Sequence, residues 1–422
     1  MRTNQTSDVD FPALDVLRLV GAVAVLTTHV AFQTGEYFRN GVVGTLLARM
    51  DIGVAIFFVL SGFLLSRPWW ASAAAGAPAP RVGRYALKRL LRIWPVYLVT
   101  VVVAFAVVPG NEGAGVREWL ASALLLDTYV DDTLPYGLTQ MWSLSVEVAF
   151  YVVLPLLMWV ATRRTGRRYD VVLLVGMVVL NVVWIVTLTP ALDDLRDWAP
   201  GLWLPGYLSW FAAGMWLART HTRQHGRGGR RPWIVTLGEQ PGACWSAALG
   251  LLLVAATPVA GPVLLEPGTA GQSVAKTLLY AGIGLLVVAA GVWSPRGGLF
   301  RRVSSARALR HLGHVSYSIF CTHLIVLALL QEALDYELFS GRFLLMWALT
   351  LDEPVGQLAH GQREAERQRP HHQEASREQL VVQALLEERQ HDQVRAEDRV
   401  RHVAQVAQGA CRRHAPEEPA HR

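Results

Sequence analysis

Phe11-Pro12-Ala13-Leu14-Asp15-Val16-Leu17-Arg18-Leu19-Val20-Gly21-Ala22-Val23-Ala24-Val25-Leu26-Thr27-Thr28-His29-Val30-Ala31-Phe32 is the first long apolar run of the chain, and two basic side chains, Arg18 and His29, sit inside it. At about 1.5 Å and 100° per residue, the step from one to the other advances a helix by roughly 16 Å and falls only about 20° from a whole number of turns. Both side chains therefore share one face. In hydrocarbon a charge costs several kcal/mol unless it is paired or turned toward a polar cavity. The segment predicts a membrane helix lining a polar path. A plainer account of the same residues pairs Arg18 with Asp15, one turn earlier, and lets His29 reach the outer interface.

The rest of the chain repeats this pattern. It has 422 residues, 52% of them hydrophobic, in runs long enough to cross about 30 Å of hydrocarbon. The expected fold is all-α, a polytopic membrane helix bundle of about ten spans. The candidate spans are 13–32, 52–66, 93–109, 140–162, 171–190, 202–219, 243–263, 274–293 and 314–331, with a tenth begun at Phe343 that is truncated or abnormal. Trp69, Trp70, Trp94, Trp119, Trp142, Trp198 and Trp203 lie near segment ends, where aromatic belts form. The net charge of +6 suits loops facing anionic lipid and points away from nucleic acid. Cys244, Cys321 and Cys411 are too scattered for a disulfide or thiolate-metal framework. No basic leader or small-residue cleavage site surrounds the first run, so it is expected to be a retained span. No internal repeat of the transporter type is visible.

The connecting charges orient the bundle. Arg67, Arg81, Arg84, Lys88, Arg89 and Arg92 fall in one stretch without an acid, and 163–168, 221–231 and 296–310 are also basic. The other connections carry Glu112, Asp127, Asp131, Asp132, Asp193, Asp194, Asp197, Glu332, Asp335 and Glu337. Basic loops are cytoplasmic, and the sides alternate throughout if the N-terminus is inside. One condition attaches. Trp119 to Leu126 is too short to span and must be re-entrant or interfacial.

Composition breaks at Leu351, which divides the chain into a transmembrane domain, 1–351, and a polar tail, 352–422. The tail has no Phe, Trp or Tyr and holds seven of the thirteen His. It is expected to be disordered or loosely helical. A sharper reading makes it the product of a shifted reading frame in a GC-rich gene, since the 39 basic residues include only two lysines, Lys88 and Lys276.

Five blocks bear chemistry. Arg18 and His29 are the first. The second, Phe57-Phe58-Val59-Leu60-Ser61-Gly62-Phe63, allows close backbone or ligand approach, with simple helix packing the commoner use. Arg89 and Arg92, one helical turn apart at the mouth of a span, suit bidentate phosphate binding or ordinary loop charge. In Trp142-Ser143-Leu144-Ser145-Val146-Glu147-Val148-Ala149-Phe150-Tyr151, Glu147 falls at about the depth of His29 and would fix its tautomer. His311, His314 and His323 lack the spacing and the acid of a zinc site, so no metal is expected.

Taken together these blocks resemble the membrane-bound acyltransferase-3 family. The resemblance rests on Leu14 to Arg18 with His29, Phe57-Phe58-x-x-Ser61-Gly62-Phe63, Arg89-x-x-Arg92-Ile93-x-Pro95, Trp142-Ser143-Leu144-x-x-Glu147-x-x-Phe150-Tyr151 and Leu312-Gly313-x-x-Ser316-Tyr317-x-Ile319, and spans roughly residues 10–350. It implies an acyltransferase enzyme with no bound cofactor, taking acyl-CoA, acetyl-CoA foremost, as co-substrate. The family's basic pairs carry over to Arg18 with His29 and to Arg89 with Arg92. A departure is the end of the last span, where Asp352-Glu353-Pro354 stands in place of a Glu-Arg-Pro-like element.

The resemblance yields an expected mechanism. Arg89 and Arg92 hold the CoA phosphates with Arg18 above them, and His29 is general base on an acceptor hydroxyl. Glu147 orients His29, while Ser61, Ser143 and Tyr151 position the carbonyl. The expected partners are membrane lipid, acyl-CoA and a hydroxylated acceptor: a carbohydrate, an envelope polymer or a glycosylated natural product. The expected location is the cell membrane, with a cytoplasmic N-terminus. The alternatives are a transporter or flippase using the same Arg, His and Glu as a relay, and a sensor or scaffold.

Overall fold

Pro12 opens the first helix, α1 (Pro12–Gln33), at a position where its missing N–H costs nothing, and Asp15 sits in the first turn. The helix stops at Gly35, whose φ of +72° suits a glycine, and the Thr34 and Gly35 amides return to Val30 and Phe32. The computed structural model describes residues 11–130, 134–163, 168–193, 199–224, 231–263 and 268–352, and among these all regular structure is helical. The chain divides into units Met1–Ala359 and His360–Arg422. The second unit lies outside the described residues, as do Asp131, Asp132, Asp194, Asp197 and the polar tail from residue 353 on. The side chains of Asp193, His311 and His314 are outside them too.

After α1 come α2 (Ile52–Ala74), α3 (Val82–Val107), α4 (Val116–Ala123), α5 (Trp142–Thr162) and α6 (Tyr169–Val183). These are followed by α7 (Leu208–Arg223), α8 (Pro241–Ala255), α9 (Ala270–Trp293), α10 (Arg307–Ala333) and α11 (Phe343–Asp352). Among the described residues seven helical stretches are long and apolar enough to cross a membrane: Pro12–Gln33, Gly41–Ala74, Val82–Val107, Thr139–Thr162, Tyr169–Leu192, Ala270–Trp293 and Val315–Ala333. The protein is an all-α, multi-pass membrane bundle. The spans expected at 202–219 and 243–263 form the shorter α7 and α8, of 16 and 15 residues. At 1.5 Å per residue these reach about 24 and 22 Å, and one-turn helices at 204–207 and 258–260 extend them. The eight-residue α4 covers most of the stretch that must not cross.

The centre of the bundle is α1 packed against α2, α9 and α10, with α7 laid along α2. Gly62 and Gly214 allow that last contact: a Cβ on Gly62 would strike the Phe211 carbonyl, and one on Gly214 the Val59 carbonyl. In the Ser61-Gly62 pair, the glycine therefore serves packing. Toward the outside, α3, α5 and α6 leave Val99, Val102, Val152, Val172 and Val175 exposed, as a lipid-facing surface requires.

The ends of the helices sort as alternation demands. At one end the Asp15 backbone abuts Gly313, the His221 ring meets Phe11, Phe63 and Trp293, and Asp170 receives Arg219 and Arg223. At the other, Thr28 donates to the Ala48 carbonyl over 2.8 Å and Gln33 to Gln331 over 2.7 Å. The Lys276 ammonium pairs with Asp51 at 2.6 Å. Arg49, only 2% exposed, stays buried there because the Ala260 and Gly261 carbonyls accept from it. The ten-residue α11 docks at this end, with Met346 fully buried and Trp347 Nε1 donating to Thr27 Oγ1 over 2.9 Å.

Candidate functional site

Helices α1, α2, α3, α5 and α10 enclose a cavity of about 260 Å³. Seven residues chosen from the sequence line it: Arg18, Ser61, Arg89, Arg92, Ser143, Glu147 and Tyr151. They come from four helices and lie together because Arg18 is two turns into α1, while Arg89 and Arg92 occupy successive turns early in α3. The eighth, His29, lies farther along α1, outside the lining.

The charges of the cavity are unequal. Arg18 forms an ion pair with Asp15, as the plainer sequence account has it, and also faces the cavity. Among the described residues Arg89 and Arg92 have no carboxylate partner, and the buried Nε of Arg89 has no hydrogen-bond partner. Three guanidinium groups thus face one lining carboxylate, Glu147. Such a chamber favours an anion, and planar guanidinium forks match phosphate.

Glu147 is held by two hydroxyls. Ser61 donates to its Oε1 from α2, and the Tyr151 hydroxyl donates to the same oxygen over 2.7 Å from one turn further along α5. Ser143 donates to the Gln140 carbonyl over 3.1 Å. Two α10 residues from the fifth sequence block complete the wall: Ser316, bonded to the Gly313 carbonyl at 2.8 Å, and Tyr317, which donates to the Ile93 carbonyl at 3.2 Å.

The expected pairing of Glu147 with His29 is not what the structure shows. The hydrogen-bond partner of His29 is His323, whose Nε2 lies 3.0 Å from His29 Nδ1. Equal depth is not adjacency: α5 packs against α2, α3 and α6, while α10 packs along α1 and brings His323 to His29. Phe57 and Phe320 line the cavity with ring centroids 5.8 Å apart, and Phe320 lies 6.1 Å from the His323 ring. Phe320 therefore belongs both to the cavity wall and to the surroundings of His323. In the sequence His323 stands out only as one of three histidines ill spaced for zinc, and nothing in it assigns a role to Phe57 or Phe320. Among the described residues no group of His, Cys, Asp or Glu is placed to hold a metal ion.

Comparison with known proteins identifies the family. A family model described as an acyltransferase domain, acyltransferase-3, matches residues 11–351. Acyltransferase MdmB of Streptomyces mycarofaciens is 28% identical over 350 residues, 79% of this chain and 83% of its own. Nodulation protein 10 of Rhizobium leguminosarum bv. viciae is 30% identical over 186 residues, 38% of this chain and 48% of its own. Peptidoglycan O-acetyltransferase OatA of Listeria monocytogenes is 26% identical over 219 residues, 46% of this chain and 32% of its own. No solved structure matches the chain. The match covers every helix that builds the cavity, the five sequence blocks lie within it, and the chain belongs to the acyltransferase-3 family of membrane acyltransferases.

Proposed function

We propose that this enzyme moves an acyl group, acetyl foremost, from cytoplasmic acyl-CoA to a hydroxyl presented at the opposite side of the membrane. The single observation that carries the proposal is the chamber in which Arg18, Arg89 and Arg92 converge at the end where α1 begins. Acyl-CoA ends in phosphates at one extremity and in a thioester on a long arm at the other. The phosphates sit against Arg89 and Arg92, where the unpartnered Arg89 Nε offers a donor. The arm follows α1 toward His29, about 16 Å further along the helix, and passes the Phe57–Phe320 pair.

His29, which is partly exposed, serves as general base on the acceptor hydroxyl. The hydroxyl oxygen bonds to the acyl carbon as its proton passes to the imidazole, and the CoA thiolate leaves and takes up the proton. Ser61, Ser143 and Tyr151 shape the donor site, with Ser61 and Tyr151 held by Glu147. The cytoplasmic assignment of the arginine end follows from the basic loops. A carbohydrate, envelope polymer or glycosylated natural product is the acceptor class, a choice supported by the relative named as a peptidoglycan O-acetyltransferase.

The test is purified protein with acetyl-CoA and a panel of sugar glycosides. Free thiol should be released only when an acceptor is present, with matching acetylated product by mass spectrometry. Passage of acyl-CoA or acceptor across liposomes without product would return the buried charges to a transport relay.

A further inference from the structure

His323 is buried to 2% exposure, and its ring has three polar neighbours. Its Nδ1 lies 2.8 Å from the Phe320 carbonyl oxygen and 3.2 Å from that of Ile319. A carbonyl oxygen only accepts, so Nδ1 carries the hydrogen. In a neutral imidazole the other nitrogen, Nε2, is then a lone-pair acceptor. It lies 3.0 Å from His29 Nδ1, which must supply the hydrogen of that contact. His29 is left with its lone pair on Nε2, the atom farther from the backbone. The backbone of α10 thus dictates, through one ring, which nitrogen of a second ring on α1 is basic.

We propose that His323 is the positioning residue of the acyl transfer: anchored by the α10 carbonyls, it holds His29 in the tautomer whose Nε2 accepts the acceptor's proton. This rests on His29 being the base. The arrangement needs no carboxylate, and among the described residues neither ring has one in hydrogen-bond contact. Glu147 is free for the donor chamber.

The full-length protein in detergent, labelled with 15N-histidine, tests this without any substrate. His29 is assigned by the resonance lost in His29→Asn, and its ring correlation reports which nitrogen is protonated. The expected result is an Nδ1–H tautomer in the native protein and in His323→Gln, whose side-chain oxygen replaces Nε2. In His323→Leu the tautomer should change or become mixed. The Val25 carbonyl, one turn earlier on α1, also acts on the His29 ring. If that carbonyl alone fixes the ring, the tautomer survives His323→Leu and the inference fails. An Nε2–H tautomer in the native protein also overturns it.

Acylated product in cells carrying each variant in place of the native gene gives a second readout. His323→Leu should lose about tenfold to a thousandfold in rate, and His323→Gln should recover most of it. His323→Asn should not, because its oxygen falls at the Nδ1 position. Equal losses in the Leu and Gln variants assign a merely structural role. Full activity in His29→Ala removes the base and this inference together, whereas an inactive His29→Ala beside a fully active His323→Leu removes the inference alone.

Discussion

Ser61 on α2 donates its hydroxyl to the Glu147 carboxylate on α5, joining residues 86 positions apart across the arginine chamber. Tyr151 adds a second donor to the same oxygen. Removing the carboxylate strands two hydroxyls inside a membrane bundle, at a cost of about 1–3 kcal/mol. Glu147→Ala should therefore unfold at lower temperature in detergent than Glu147→Gln, which keeps an accepting oxygen. Equal melting of the two variants would show that the hydroxyls find other partners.

His29→Ala should reduce acyl transfer by about 10²–10⁴-fold, the usual worth of a general base, with expression and membrane insertion unchanged. Turnover within tenfold of the native enzyme would remove His29 from the mechanism.

Arg89→Ala and Arg92→Ala should raise the apparent KM for acetyl-CoA and leave kcat nearly unchanged, because phosphate contact is the same in ground and transition states. A charge-assisted contact is worth about 1.5–3 kcal/mol. Arg92 is the more exposed of the two, so solvent screening makes its effect the smaller. An increase in acceptor KM alone would place these arginines in another site.

Gly62→Val should cost about 1–3 kcal/mol through overpacking, because its side chain would meet the Phe211 carbonyl. Gly176→Ala is the control. Nothing lies within 4 Å of a Cβ added there, and alanine favours a helix by about 0.5–1 kcal/mol. Thermal unfolding should separate the two in opposite directions.

Reporter fusions at Ala75, between α2 and α3, and at Gly113, between α3 and α4, should report opposite sides of the membrane, with Ala75 inside. Both on one side would overturn the topology and the proposed direction of transfer with it.

Much of this was legible in the chain. Hydropathy located the helices, and helical phase put Arg18 on the cavity side of α1. Residue type and helical spacing singled out seven of the residues that line the chamber. What escaped was azimuth. Depth along a span follows from counting residues, but which neighbour occupies a face depends on how helices pack, and His29 and His323 are 294 positions apart. The mistaken pairing of His29 with Glu147 came from matching depths without that information. Arg49 escaped for a related reason: just ahead of a span it reads as an exposed interfacial charge, yet the Ala260–Gly261 turn folds over it.

The Phe57–Phe320 pair has a bioenergetic consequence under the proposed mechanism. On that reading the arginine chamber and the basic nitrogen of His29 are two halves of a proton conductor, and Phe320, 5.8 Å from Phe57, adjoins both the chamber and the His323 ring. Phenyl rings offer water no strong hydrogen bond, so these two side chains would interrupt a continuous wire there. An enzyme that transferred its acyl group through the membrane would have to be an insulator between turnovers, and the rings that insulate would be the ones the acyl arm has to pass.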